Sequence, residues 1–180
     1  MIRLKLDTMF RGNFGELVLE YYAPKRKIAY LGLEDVHNGL YKKHRNSLTF
    51  KSGPYRILLE IEKYLVPEIR NISKPNGKYG SGFRFDYLVA SLAGFKRDEN
   101  GLYLPDREIG LKDLNWVEIK FRGGTLSQEQ EETMEQTQIP VSVIKVQAKL
   151  PESIDIMLDK KGSRINNRLN KKTLFDKFLG

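Results

Sequence analysis

Three strand-type segments in the second half of the chain constrain its fold most strongly. Residues 83–92, 115–121 and 139–146 are short, apolar and rich in β-branched or aromatic side chains, as is typical of strands. Residues 126–138, between the second and third segments, are polar and helix-forming, with Ser127 at the N-cap position and acids in the first turns. This order predicts an α/β or α+β layered fold.

The N-terminal part predicts a β-rich region. Residues 1–6 alternate in polarity, and residues 15–22 have the two-residue period of a half-buried strand. Residues 23–27 contain turn residues, and residues 27–33 are expected to return as the second strand of an N-terminal β-hairpin. Residues 34–52 are polar and predicted to be irregular.

A helix is expected over residues 55–65, because Pro54 suits a first helical position and apolar residues recur there at helical spacing. Residues 66–72 are predicted to form a short strand. These expectations divide the chain into an N-terminal β-rich region at 1–52, a core at 53–150 and a basic C-terminal tail at 151–180.

The composition excludes several kinds of site. The 180 residues include no Cys and two His, His37 and His44, which excludes disulfides, a Cys nucleophile, an iron–sulfur cluster and a His-rich metal site. No apolar run reaches the roughly 18 residues of a membrane helix. The N-terminal residues do not resemble a signal peptide, so a cytoplasmic protein without membrane contact is expected. The net charge of +8 predicts a polyanionic partner.

Charged and polar residues interrupt the apolar segments at positions that suggest chemistry. Glu118 and Lys120 point to the same side of one predicted strand, and Asp86 lies inside another. Gln130 shares the inward stripe of the helix at 126–138. A carboxylate can bind a hard divalent cation, and an ammonium can orient water or neutralise phosphate charge. Taken singly, Glu118 and Lys120 also suit a solvated salt bridge, and Asp86 also suits an ion pair with Arg84.

These motifs together resemble the PD-(D/E)xK nuclease superfamily, nearest to its VRR-NUC and archaeal Holliday junction resolvase branches. The similarity covers residues 54–147. Residues 82–86 resemble the Pro-Asp strand, with Phe85 where Pro is usual, residues 117–120 resemble the Glu-x-Lys strand, and residues 126–130 resemble the helix that carries a Gln. The resemblance implies a restriction-endonuclease-like core, in which a central mixed sheet is flanked by helices.

The resemblance also implies roles for individual residues. Asp86, Glu118 and the backbone carbonyl of Ile119 would hold Mg²⁺ or Mn²⁺, Lys120 would position or help deprotonate the attacking water, and Gln130 would orient Lys120 or contact the backbone. The family places a further acid on its first helix, for which Glu60 is the first choice and Glu62 the second. Pro105 and Asp106 offer a literal Pro-Asp as an alternative to Asp86.

The expected activity is metal-dependent phosphodiester hydrolysis in DNA, with branched or junction DNA as one substrate and recombination or repair as the setting. A homodimer is expected if the resolvase branch is correct. Basic residues 42–45 suit phosphate contacts. The residues assigned to nucleic-acid binding are Ser81, Arg84, Arg122, Lys160, Lys161, Arg164, Arg168, Lys171 and Lys172.

Two other functions remain open from the sequence. One is a non-catalytic nucleic-acid-binding protein on the same fold, and the other is an RNA-processing or ribosome-associated β-rich protein. Tyrosines in the first half of the chain are expected to pack in the core or hairpin and not to stack on bases; these are Tyr21, Tyr22, Tyr41 and Tyr55. DNA against RNA, and endonuclease against exonuclease action, also stay undecided.

Overall fold

A computed structural model describes residues 2–5, 8–43, 46–75, 82–121, 124–146 and 153–156. The basic C-terminal tail from residue 157 lies outside them. The helices and strands follow in chain order: β1 (Ile2–Lys5), α1 (Thr8–Arg26), β2 (Ile28–Gly32), α2 (Leu33–Lys43), β3 (Ser47–Ser52), β4 (Tyr55–Glu60), α3 (Val66–Ile72), β5 (Tyr87–Ser91), β6 (Leu114–Phe121), α4 (Gln128–Gln136), β7 (Val141–Val146) and β8 (Ser153–Ile156).

The main sheet has six strands in the order β4-β3-β2-β5-β6-β7. Neighbouring strands are antiparallel except for β6 and β7, which are parallel because the chain crosses over through α4. β1 and β8 form a separate antiparallel pair. The protein is therefore α+β, with a mixed sheet flanked by helices, as the sequence predicted in outline.

Hydrophobic side chains cover both faces of this sheet. On one face α1 places Leu19 and Ala23 against Tyr30, Val89 and Val117. The larger core lies on the other face, where α2 and α3 pack on residues from most of the strands; its most buried members include Phe50, Leu88, Trp116, Leu40 and Ile69. The sheet is thus enclosed between helices, and polar residues that interrupt its strands need a partner inside the protein.

The predicted N-terminal β-hairpin is wrong. Residues 15–22 belong to α1, and only their partner strand, residues 27–33, is confirmed as β2. The alternation of Leu17, Leu19 and Tyr21 was misleading, because the stripe facing the sheet is Leu19 and Ala23 at i, i+4 spacing, while Tyr21 is 41% exposed. Residues 34–52, predicted to be irregular, form α2 and β3.

The predicted helix at 55–65 is also wrong, because its first half is strand β4. Ile57 and Leu59 are buried while Leu58 and Glu60 are exposed, which is the two-residue period of an edge strand with one covered face. β4 pairs with β3 along its whole length, from Ser47 opposite Glu60 to Ser52 opposite Tyr55. Residues 66–72 form helix α3 and not the predicted strand.

The strands around the proposed core are confirmed in part. β6 and β7 lie inside the predicted segments or within one residue of them, but β5 covers only residues 87–91 of the segment predicted at 83–92, so Asp86 lies in a bend just before the strand and not inside it. α4 begins after Ser127, whose side chain accepts a hydrogen bond from the Gln130 N–H. The proposed boundary between residues 52 and 53 falls in the β3–β4 turn, inside the single six-stranded sheet.

A partly buried ion pair anchors the long connection between β5 and β6, with Asp113 buried and the Arg107 side chain one third exposed. Both nitrogens at the end of the Arg107 guanidinium donate to the Asp113 carboxylate, at 2.7 and 2.8 Å, and the Gly110 N–H donates to the same group. Arg107 also lies over the Phe95 ring. Hydrogen bonds with Arg107 hold the pKa of Asp113 below its usual value. This pair stabilises the loop in which Ile109 forms a parallel β-bridge with Ile61, just after β4.

Asp113→Asn is therefore expected to lower the free energy of unfolding by about 2–3 kcal/mol, because it leaves the Arg107 charge without its carboxylate. A lowered native pKa adds stability above the usual aspartate pKa and loses it as the pH falls through the lower native value. The difference from wild type should thus be largest near neutral pH and shrink in acid. Urea unfolding of both proteins, near neutral pH and in acid, measures this difference in the free energy of unfolding. Asp106→Asn, at an exposed neighbouring aspartate, is the matched control and should change little; equal effects would contradict the role of the ion pair.

Candidate active site

The pairing of β5 with β6 brings Asp86 next to Glu118. Tyr87 is opposite Val117, so Asp86, one residue earlier, occupies the position opposite Glu118. The Asp86 N–H donates to the Val117 carbonyl at 3.1 Å, and its Oδ2 accepts from the Ile119 N–H at 2.7 Å. Two backbone contacts therefore hold Asp86 at the end of the sheet.

Glu118 and Lys120 form an ion pair within the protein. Lys120 Nζ lies 2.6 Å from Glu118 Oε1, and the two side chains are 19% and 7% exposed, respectively. They share the sheet face on which Trp116 is fully buried. The pair is therefore largely removed from water, unlike a solvated surface salt bridge. A buried pair of this kind contributes little net stability after its desolvation cost, so stability alone does not account for it.

Gln130 joins this pair to the start of α4. Its Oε1 accepts from Lys120 Nζ at 3.1 Å and from the Ser127 N–H at 3.0 Å, while its Nε2 donates to the Arg84 carbonyl at 2.7 Å. The residue is buried, and all these contacts use its amide. Gln130 thus connects the Lys120 ammonium on β6 to the segment just before β5, which carries Asp86.

The surroundings of Asp86 favour its protonated form. The pKa of Asp86 is raised from 3.8 to about 6, chiefly because the carboxyl group is desolvated, although part of the side chain faces solvent; the negative charge and hydrogen bonding of Glu118 contribute in the same direction. The Ile119 N–H and the Lys120 charge act in the opposite direction. The two carboxyl groups are close enough to interact strongly, as in sites that bind a cation or share a proton.

Arg84, assigned from the sequence to nucleic-acid binding, has partners in the protein. Its guanidinium donates to the Asn71 carbonyl at the end of α3 at 2.9 Å and lies 3.5 Å from Glu129 in α4. Arg84 therefore connects α3 and α4 beside the site. The other residues assigned to nucleic-acid binding lie outside the described part of the chain: Ser81, Arg122, Lys160, Lys161, Arg164, Arg168, Lys171 and Lys172.

The alternative acids lie elsewhere. Glu60 is an exposed residue of β4 and not a helix residue, which removes the reason for choosing it. Glu62 packs against Gly110 and hydrogen-bonds with Tyr64, and the charge of Asp106 acts on Arg107. Within the described ranges, no three acidic or histidine side chains are grouped as ligands for one metal ion. Of the competing aspartates, the structure thus places Asp86 beside Glu118.

A groove beside Asp86 contains charged residues that sequence reasoning missed. Its volume is about 520 Å³, and its lining includes Asp86, Glu34, Asp35 and Lys51. Glu34 and Asp35 stand in the first turn of α2, whose first N–H, from Leu33, donates to the Asp86 carbonyl at 3.2 Å. The strand-to-helix change at residue 33 was the missing signal, because residues 34–52 had been predicted to be irregular.

A second lysine stands near Lys120. Lys145 of β7 lies at the register position opposite Lys120, and it is exposed. Aligned residues of neighbouring strands share a sheet face, so Lys145 places a further positive charge at this end of the sheet.

Comparison with protein-family models, with curated proteins and with solved structures finds no match to this chain. In the part of the chain that the structure describes, the helices are too short or too polar to cross a bilayer.

Proposed function

We propose that this protein is a metal-dependent nuclease of the PD-(D/E)xK type, with a restriction-endonuclease-like core, and that it hydrolyses phosphodiester bonds in DNA. One observation carries the proposal: Asp86, Glu118, Lys120 and Gln130 form one connected set of contacts where β5, β6 and α4 meet. These are four residues that the resemblance assigns to catalysis. The mixed sheet with helices on both faces supports the same assignment.

The donor set suits a hard divalent cation. Mg²⁺ keeps several waters and commonly uses only one or two protein carboxylates with substrate phosphate. Asp86 and Glu118 supply two carboxylates, and the Ile119 carbonyl belongs to the same strand. The pKa of Asp86 is raised chiefly by desolvation and in part by the negative charge of Glu118, and a bound cation would offset that charge. When bound, Mg²⁺ or Mn²⁺ would stabilise charge that develops on the phosphate.

The reaction adds a water oxygen to phosphorus and breaks the phosphorus–oxygen bond to the leaving sugar. The water loses one proton to solvent, and the leaving oxygen gains one. Lys120 supplies a fixed ammonium that can donate a hydrogen bond to the water or to a phosphate oxygen. Gln130 keeps that ammonium in place, and the Asp86 backbone contacts keep the two carboxyl groups together. These fixed positions spare reorganisation during the reaction.

One observation favours the non-catalytic alternative. The Glu118 carboxylate already has a cation partner in Lys120 at 2.6 Å, and the described residues include no group of three acids or histidines placed to hold one metal ion. A nucleic-acid-binding protein that retained the fold without the chemistry would show such a neutralised pair. Cleavage, and not binding, therefore separates the two functions.

The test is cleavage of linear duplex, single-stranded and four-way-junction DNA, and of matched RNA, with Mg²⁺, with Mn²⁺ and with EDTA. The proposal expects metal-dependent cutting of at least one DNA substrate. A Glu118→Gln protein purified in the same way reports any contaminating nuclease. Binding without cutting, on every substrate and with either metal, would establish the non-catalytic alternative. A mass measurement in solution tests the homodimer, and preferred cutting of the junction would support the resolvase-like branch.

A further inference from the structure

Three adjoining depressions lead from Asp86 across the β3–β4 hairpin. The groove beside Asp86 contains Lys51; a second depression, of about 300 Å³, contains Lys51 and Arg56; a third, of about 260 Å³, contains Arg56 and Arg97. Each depression shares a basic residue with the next. We call this surface, defined by Lys51, Tyr55, Arg56, Arg97 and Tyr103, the hairpin path. We propose that it binds a single-stranded DNA segment that flanks the phosphate to be cut, an inference that rests on the proposed nuclease function.

The first argument is charge. Lys51 and Arg56 are directly opposite each other in the β3–β4 pairing, which places two positive charges side by side on this hairpin. Among the described residues, no carboxylate lies within ion-pair distance of Arg56 or Arg97. Both side chains instead contact tyrosines: Arg56 donates to the Tyr55 carbonyl, and Arg97 hydrogen-bonds with the Tyr103 hydroxyl. Both guanidinium groups therefore retain donors that suit phosphate.

The second argument is stacking surface. The sequence favoured packing for Tyr55, but the structure leaves it 52% exposed at the rim of the third depression. Leu102 is also exposed there, and the Arg97 guanidinium lies 4.3 Å from the centre of the Tyr103 ring. Aromatic faces beside arginines bind unpaired bases irrespective of sequence. The depressions have the size of small-ligand sites, which suits single nucleotides better than the broad face of a duplex.

The acids at one end of the hairpin path are consistent with a strand that reaches the cleavage site at that end. Glu34 and Asp35 line the groove nearest Asp86, and Asp35 also lines the second depression. Carboxylates repel phosphates, so a bound strand would follow the Lys51 side and reach the acids only where the proposed metal ion neutralises charge. Basic and aromatic residues occupy the rest of the path, towards the far end of β5.

The test measures binding without cleavage. The full chain is titrated with a fluorescent oligothymidine of about 16 nucleotides in EDTA over a salt series. Each phosphate contact on a single strand contributes a slope of about 0.7 in log affinity against log salt, so Arg56→Gln with Arg97→Gln should lower the slope by about 1.4. Tyr55→Ala should weaken binding at least about fivefold through lost stacking. The control is Lys63→Gln with Lys112→Gln, which removes the same charge from two exposed residues elsewhere. Its salt slope should stay close to that of wild type and thus exceed the slope of the double arginine variant.

The outcomes separate this inference from the proposed function. If the arginine variant binds like the charge-matched control, the hairpin path is wrong, even if wild type cuts DNA. If the arginine and tyrosine variants lose binding but wild type never cuts, the path stands and the nuclease is wrong. The same titration is repeated with a labelled duplex of equal length; equal loss of duplex and single-strand binding in the variants would also overturn the preference for a single strand. Circular dichroism melting verifies that each variant is folded.

Discussion

Glu118→Gln and Lys120→Met are each expected to reduce metal-dependent DNA cleavage by at least about 100-fold. The first substitution removes one of the two carboxylates that face each other at the end of β5 and β6, and so weakens any divalent cation site. The second removes the ammonium held 2.6 Å from Glu118 and 3.1 Å from Gln130. Initial rates of DNA cutting at saturating Mg²⁺ measure both effects.

The neighbouring lysine provides the matched control. Lys145 lies opposite Lys120 in the β6–β7 pairing, and it is exposed. Lys145→Met should therefore leave the cleavage rate at saturating DNA within a few-fold of wild type, even if DNA binding weakens. Gln130→Met should give an intermediate loss, because the ammonium remains but loses its positioning partner. Equal rates for the Lys120 and Lys145 variants would contradict the catalytic assignment of Lys120.

The strands nearest the site were predictable because their sequence pattern has one interpretation. β5, β6 and β7 are short, apolar and bounded by turn residues, and Ser127 marks the start of α4. The secondary-structure predictions were wrong where the same apolar positions fit both the helical and the strand periodicity. Apolar positions at 57, 58, 61 and 65 match a helix stripe, yet pairing with β3 makes residues 55–60 a strand, since tertiary pairing overrides local propensity.

The candidate site was predictable for a related reason. Glu118 and Lys120 are two residues apart in a strand, so their common face follows from geometry alone. The reason for choosing Glu60 was the helix predicted at 55–65, and that reason is lost because residues 55–60 form β4. Lys51 and Arg56 could not be related to Asp86, because their approach depends on the β4-β3-β2-β5 strand order, which joins segments distant in sequence. Local periodicity holds no information on that order.

Asp86→Asn is expected to raise the stability of the metal-free protein near neutral pH while it abolishes cleavage. The native pKa of Asp86, about 6, lies above its usual value of 3.8, so the folded state holds the proton more tightly than the unfolded state. Ionisation of Asp86 therefore costs stability: the cost is absent below the usual pKa, grows between pH 3.8 and about 6, and is complete above that range. Asparagine retains an oxygen that can accept from the Ile119 N–H but carries no charge against Glu118.

Urea unfolding in EDTA should thus give the Asp86→Asn protein a higher midpoint than wild type at about pH 7, with the gain shrinking towards about pH 4. Mg²⁺ should reverse the order, because a ligand that binds only the folded wild type stabilises it by mass action. Asp98→Asn is the control: its carboxylate also accepts backbone N–H groups, from Asn100 and Leu102, but its hydrogen-bond partners do not include Glu118. A lower midpoint for Asp86→Asn at neutral pH would mean that Asp86 stabilises the fold. The expected result is that Asp86 destabilises the metal-free fold and stabilises the Mg²⁺-bound protein. A metal ligand behaves in this way, because its charge serves binding and not folding.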